Sequence, residues 1–193
     1  MLHPPDDDRQ DHGRLSAGFA TPRRPIVIAL AIAALTTAAV VVIVQLNAPR
    51  TAAGPVRGEV APDVSGTTLD GSNFRLSDLR GHPVIVNFWG PSCIPCREEF
   101  PLFAQKIAEH AADGLQVVGV LMDDPPDPAR AFVAQYKATW PTVVDDGSRI
   151  KSAYRVVARP QSYFIDRNGI VRSIQIGEVV APDFERQYAA IAH

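Results

Sequence analysis

An apolar run, Val84-Ile85-Val86-Asn87-Phe88-Trp89, is separated only by Gly90-Pro91-Ser92 from Cys93-Ile94-Pro95-Cys96, and this junction restricts the fold more than any other stretch. The run is short, β-branched and aromatic, the pattern of a buried strand. Behind the cysteines, Phe100, Phe103, Ile107 and Ala111 recur three or four apart, so the sequence predicts a helix from about Cys96 to Ala112. These two cysteines are the only ones in the chain. They stand where a strand hands over to the first turn of a helix. Amides in that turn lack intrahelical partners and carry partial positive charge, which stabilises an anion. Cys93 is placed to be that anion, a thiolate with a lowered pKa.

Three other readings of the pair are weaker. A structural disulfide closing so short a loop removes little entropy from the unfolded chain and is easily reduced. Zinc asks for four ligands, and the five histidines (His3, His12, His82, His110, His193) show no paired spacing, so a metal site is not expected. Inert core thiols fit poorly with a strand-to-helix junction that carries Ile94-Pro95 between them. A redox dithiol is the best reading of the residues alone.

The 193 residues amount to about one domain, and 46% are hydrophobic. Part of that figure comes from Ile26 to Leu46, which holds no charge and is apolar all round. Roughly twenty such residues suffice to span a bilayer, so residues 25–46 are expected to form a transmembrane signal-anchor helix. A signal peptide's apolar region is usually shorter, about 7–15 residues, although Ala52-Ala53-Gly54 offers a small-residue cleavage site. Arg23 and Arg24 border the segment on its N-terminal side, which puts the N-terminus in the cytoplasm and the rest outside. Residues 1–24, with Pro4-Pro5 and Asp6-Asp7-Asp8, read as a disordered cytoplasmic tail, and residues 47–58 as a linker. A net charge of −2, with no basic patch, gives nothing for nucleic acid to bind.

Beyond the linker, Asp70-Gly71 marks a hairpin turn and Ser77–Gly81 a helical turn ended by glycine. A strand at Leu115–Met122 follows the cysteine helix. Asp123–Pro128 reads as a loop, Ala129–Tyr136 as a helix and Thr142–Val144 as a short strand. Ile150–Tyr154 is a second short helix. Strands Gln161–Asp166 and Ile170–Ile176 flank the turn Arg167-Asn168-Gly169, and a helix over Asp183–His193 closes the chain. This order implies a mixed central sheet with helices on both faces.

The strand, the dithiol and the following Arg97-Glu98-Glu99-Phe100-Pro101 resemble the active-site segment of the membrane-anchored TlpA/ResA/CcmG group of thioredoxin-like proteins. The resemblance covers residues 59–193. It includes Gly58-Glu59-Val60-Ala61-Pro62-Asp63, similar to that group's extra N-terminal hairpin, and residues 123–154, similar to its internal insertion. Arg159-Pro160-Gln161-Ser162-Tyr163-Phe164 is similar to its cis-proline loop. The resemblance implies a thioredoxin-like α/β fold, with Cys93 as the exposed nucleophile and Cys96 as the buried resolving thiol. It implies that Pro160 is cis beside the dithiol, exposing a backbone edge for an incoming chain. Glu99 matches a buried acid that handles protons near the cysteines; otherwise it would be a solvated helix-face residue. Ser92 stands where most relatives have tryptophan, removing an aromatic lid. Arg159 is a cation where relatives often have an uncharged residue; if it reached Cys93 it would favour the thiolate, and otherwise it faces solvent.

The chemistry implied is thiol–disulfide exchange through a Cys93–Cys96 redox disulfide, with no cofactor. The substrates expected are disulfide-containing proteins such as apocytochrome c. Electrons are expected from a membrane reductant of CcdA or DsbD type. Two rival functions are a peroxiredoxin-like peroxidase and a Cu(I) chaperone. The first wants a hydroxyl and an arginine around a differently spaced cysteine. The second fits two thiolates but usually adds a histidine.

Overall fold

The computed structural model describes residues 23–47 and 57–193. The expected tail and linker fall largely outside them. The chain divides into two units, Met1–Arg50 and Thr51–His193. In the first, helix α1 (Arg23–Asn47) is 25 residues long. Side chains are described at 27–30 and 32–40. Thr36 and Thr37, its polar residues in that stretch, both donate to the Ala33 carbonyl, so their hydroxyls are satisfied within the helix. Among the described residues, no helix is long and apolar enough to cross a membrane.

The second unit opens with a small antiparallel pair, β1 (Ser65–Thr67) and β2 (Asn73–Arg75). Gly71 supplies the positive φ (87°) that the turn between them requires. A 3₁₀ turn over Leu76–Leu79 leads to the central strand β3 (Val84–Trp89). Then come α2 (Ile94–Glu109), β4 (Gln116–Leu121), α3 (Pro126–Gln135), β5 (Thr142–Val144), α4 (Arg149–Tyr154), β6 (Gln161–Ile165), β7 (Val171–Ile176) and α5 (Ala181–Tyr188). The five-stranded sheet runs β5-β4-β3-β6-β7. Its β5-β4-β3 half is parallel, and β6 and β7 pair antiparallel. The mixed sheet expected from the sequence is the one observed.

Alternation along β3 divides the core. Val84, Val86 and Phe88 pack into one cluster with Val118, Val120, Tyr154 and Tyr163. Ile85 and Trp89 pack into the other, with Cys93, Cys96, Phe100, Phe103 and Phe132. Asn87 lies between Ile85 and Trp89 in the alternation, so the strand pleat turns its amide to the α2 side. Trp89, Phe100, Phe132 and Trp140 form an aromatic nest, with Phe100 at 4.7–5.0 Å from each of the other three ring centres. This nest seats the N-terminal half of α2, and hence the cysteines, on the sheet.

Three helices differ from expectation by more than one residue, each because of a proline or an end effect. Helix α2 begins at Ile94, so Cys93 is its N-cap, and it continues through Pro101 to Glu109. Helix α3 starts at Pro126 rather than Ala129, because proline suits the first helical turn, where its missing N–H is not needed. Helix α5 likewise starts early, at Ala181-Pro182, and ends at Tyr188. Lys106 of α2 is buried and pairs with Glu109 at 2.6 Å and with Glu185 of α5, tying the last helix to the cysteine helix.

Candidate active site

Cys93 caps α2 in extended conformation, and its Sγ accepts the Cys96 amide at 3.3 Å. Pro95 contributes no amide donor to that first turn. The two cysteines are joined as a disulfide. Cys93 retains 8% exposure and Cys96 none. Of the two sulfur-bearing residues, Cys93 is thus the one nearer the surface.

Behind them, Glu99 lies one residue short of a helical turn beyond Cys96 and is completely buried. It is not a solvated helix-face glutamate. Asn87 Nδ2 donates to its Oε1 at 2.7 Å, and the Val179 amide donates to its Oε2 at 3.3 Å. Loss of water pushes the Glu99 carboxyl up to about 8, outweighing the two bonds that favour the charged form. Asn87 Nδ2 also donates to Ser162 Oγ at 3.0 Å, so the carboxyl, the central strand and β6 are joined in one buried polar chain. Glu98 is exposed, as expected of a surface residue.

The Arg159–Pro160 bond is cis. Pro160 is buried immediately before β6, whose register pairs Gln161 with Phe88, so it lies alongside the end of β3 where the cysteine loop departs. Its carbonyl accepts the Gly177 amide at 2.9 Å. Arg159 does not face open solvent as a lone cation: its Nη1 donates to Asp124 Oδ2 at 2.7 Å, and its Nη2 donates at 3.1 Å to the hydroxyl of Ser92, the residue just ahead of Cys93. Ser92, in place of an aromatic lid, donates its hydroxyl to the same Asp124 oxygen at 2.9 Å.

A groove of about 490 Å³ opens beside Ser92, between Arg97 and Asp124 on its rim and Phe132 and Tyr136. Away from the dithiol, Glu109, His110 and Glu185 bring ligand atoms within 4.8 Å of one another. The Lys106 ammonium already pairs with both carboxylates there.

The structure thus gathers Cys93, Cys96, Glu99 and Pro160 around one end of β3. Sequence reasoning missed Asp124, Ser162 and the Val179 amide. Asp123 and Asp124 stand side by side in a loop, and no local pattern says that Asp123 turns to Lys151 while Asp124 turns to Arg159 and Ser92.

Comparison with known proteins places this geometry among related ones. Residues 57–174 match the model of the AhpC/TSA family. The chain is 34% identical over 134 residues to the thiol-disulfide oxidoreductase ResA of Geobacillus kaustophilus, covering 69% of this chain and 77% of that one. It is 34% identical over 137 residues to the thioredoxin-like protein YneN of Bacillus subtilis, covering 69% and 79%. A solved thiol:disulfide interchange protein of the thioredoxin family from Chlorobium tepidum superposes with a TM-score of 0.65 at 26% identity, covering 72% of this chain and all of the other.

Proposed function

Because this chain belongs to the AhpC/TSA family and is a thiol:disulfide oxidoreductase of the ResA kind, we propose that it reduces disulfides in partner proteins outside the cytoplasm, with Cys93 attacking and Cys96 resolving. The observation that carries this reading is the pairing of a slightly exposed N-cap sulfur with a fully buried partner in the same helical turn. The Cys93 thiolate attacks one sulfur of the partner's disulfide. That S–S bond breaks, the departing sulfur takes up a proton, and a mixed disulfide forms at Cys93. Cys96, as thiolate, then attacks Cys93 Sγ. The mixed disulfide breaks, the partner leaves as a dithiol after gaining two electrons, and the Cys93–Cys96 bond holds the oxidation.

Glu99 is the group we assign to the proton that Cys96 must lose and regain. An ordinary thiol ionises near ~8.5, and the Glu99 carboxyl is held at about 8, so a proton passes between them at little cost in either direction. Pro160 closes the other side of the site, where the backbone edge beside the dithiol suits an extended segment of the partner.

Residues 25–46 serve, in this reading, as a single-pass anchor with residues 1–24 in the cytoplasm, and the linker at 47–58 carries the catalytic domain outside. The support is the uncharged stretch Ile26–Leu46 bordered by Arg23 and Arg24. In an oxidising compartment the dithiol needs a continuous supply of electrons, for which a membrane reductant of CcdA or DsbD type is the chemical fit. Apocytochrome c, whose haem-attachment cysteines must be reduced, is the proposed substrate.

The test is a trap. Cys96→Ala in membranes should accumulate a mixed disulfide at Cys93 with the partner, identified by mass spectrometry, while Cys93→Ala should capture nothing and reduce nothing. Capture by Cys93→Ala alone reverses the two roles. Labelling of the cysteines from outside intact cells checks the topology, and protected cysteines would contradict it. Turnover of peroxide without disulfide reduction would favour a peroxidase instead.

A further inference from the structure

Three loops converge at Ser92, the residue just ahead of Cys93: Gly90–Ser92 before α2, Met122–Asp124 after β4, and Arg159 before β6. One ion pair joins them. Arg159 Nη1 donates to Asp124 Oδ2 at 2.7 Å and to the Met122 carbonyl at 2.9 Å, while its Nη2 reaches Ser92 Oγ at 3.1 Å. Ser92 contributes its hydroxyl, and at 3.4 Å its amide, to the same carboxylate oxygen. The side chains of Arg159 and Asp124 are 24% and 13% exposed, so solvent and salt screen the pair less than at an open surface. Gly90 lies directly under it: a Cβ there would run into both the Asp124 carboxylate and the Arg159 guanidinium. The backbone of the cysteine loop is shaped to let this pair close over it.

A guanidinium beside a thiol ordinarily draws it toward the thiolate. Here the cation is matched by a carboxylate that shares its hydroxyl partner. We propose that Asp124 is a positioning residue for the exchange reaction, holding Arg159 against Ser92 and cancelling its charge so that Cys93 is activated by the α2 amides rather than by a neighbouring cation. Asp124 thereby limits how reactive the dithiol is. The inference rests on Cys93 being the attacking thiol. Besides the pair itself, the charged groups around the dithiol are Arg97, Glu98 and Glu99 on α2, and Glu178, whose charge acts on Glu99. The variants below leave all of them in place.

The experiment follows iodoacetamide alkylation of reduced Cys93 across a pH series, with the alkylated residue identified by mass spectrometry. Asp124→Asn keeps the shape and removes the charge. It should lower the midpoint of the alkylation profile by about one pH unit, the lower end of what an uncompensated neighbouring cation does. Arg159→Gln should raise the midpoint, and the double variant should return it toward the unmodified protein. A loop-bracing role alone predicts that both single variants break the same clasp and shift the profile the same way. Shifts of the same sign, or no shift with Asp124→Asn, overturn the inference. Should Asp124→Asn not fold, Asp124→Ser must give the same downward shift. Alkylation that begins at Cys96 overturns the assignment of roles together with this inference, whereas Cys93 reacting first with unmoved variants overturns this inference alone.

Discussion

Glu99 should make the protein less stable as the pH rises through neutrality, and Glu99→Gln should abolish that dependence. In the unfolded chain the carboxyl ionises near 4.5, whereas in the fold it keeps its proton up to about 8. Between those values the folded state binds more protons than the unfolded state, so stability falls with pH at about 1.4 kcal/mol per unit. The contribution is fully present below the unfolded value and lost as pH passes the folded one. Across the window this comes to roughly 5 kcal/mol, a large part of the ~5–15 kcal/mol stability of a typical domain. The glutamine side chain imitates the neutral acid. Its oxygen accepts from Asn87, while its amide faces the Val179 N–H and loses that longer bond, at about 1 kcal/mol. Urea unfolding of the oxidised protein at pH 5, 7 and 9 should therefore show the variant slightly less stable at pH 5 and the more stable of the two at pH 9. Parallel pH dependence in the two proteins would refute the reasoning, because it would mean that Glu99 is ionised in the fold at neutral pH.

Three further outcomes follow from the packing and the charges. Phe100→Ala removes the ring that Trp89, Phe132 and Trp140 surround, and should cost about 3–5 kcal/mol in chemical denaturation. Gly90→Ala should destabilise by about 1–3 kcal/mol in the same assay, because the added methyl displaces Asp124 or Arg159. Asp166 is buried, yet the amides of Asn168 and Ile170 at 2.9 Å and Arg172 at 2.7 Å hold its carboxyl below the usual range despite that burial. Its contribution is present above the unfolded value of 3.8 and is lost as pH falls through the lower folded one. Asp166→Asn should therefore cost about 1–3 kcal/mol at pH 7, and the gap to the unmodified protein should narrow in acid melts.

Much of the site could be read from local patterns. A six-residue apolar run, two cysteines and a helical period suffice to put a sulfur at a helix N-terminus, because each of these signals acts over a few residues. The cis bond before Pro160 came from resemblance, since an X-Pro bond by itself still prefers trans, with only ~5–6% cis in folded proteins. The helix starts at Pro126 and Ala181 were misplaced because a proline reads equally as a loop breaker and as a first-turn residue, and only the chain on either side decides which.

What the sequence determined by itself was the chemistry available: two thiols, a strand to seat them and a helix to polarise one of them. What only the tertiary structure decided was the state of the charges around them. Glu99 and Glu98 are neighbours with the same side chain, yet one is sealed beneath Asn87 and Val179 while the other meets water. Asp123 and Asp124 are likewise identical in sequence terms and part toward Lys151 and Arg159. The physical reason is that ionisation depends on solvent exclusion and on partners dozens of residues away along the chain, and neither leaves a mark on the spacing of residues within one element.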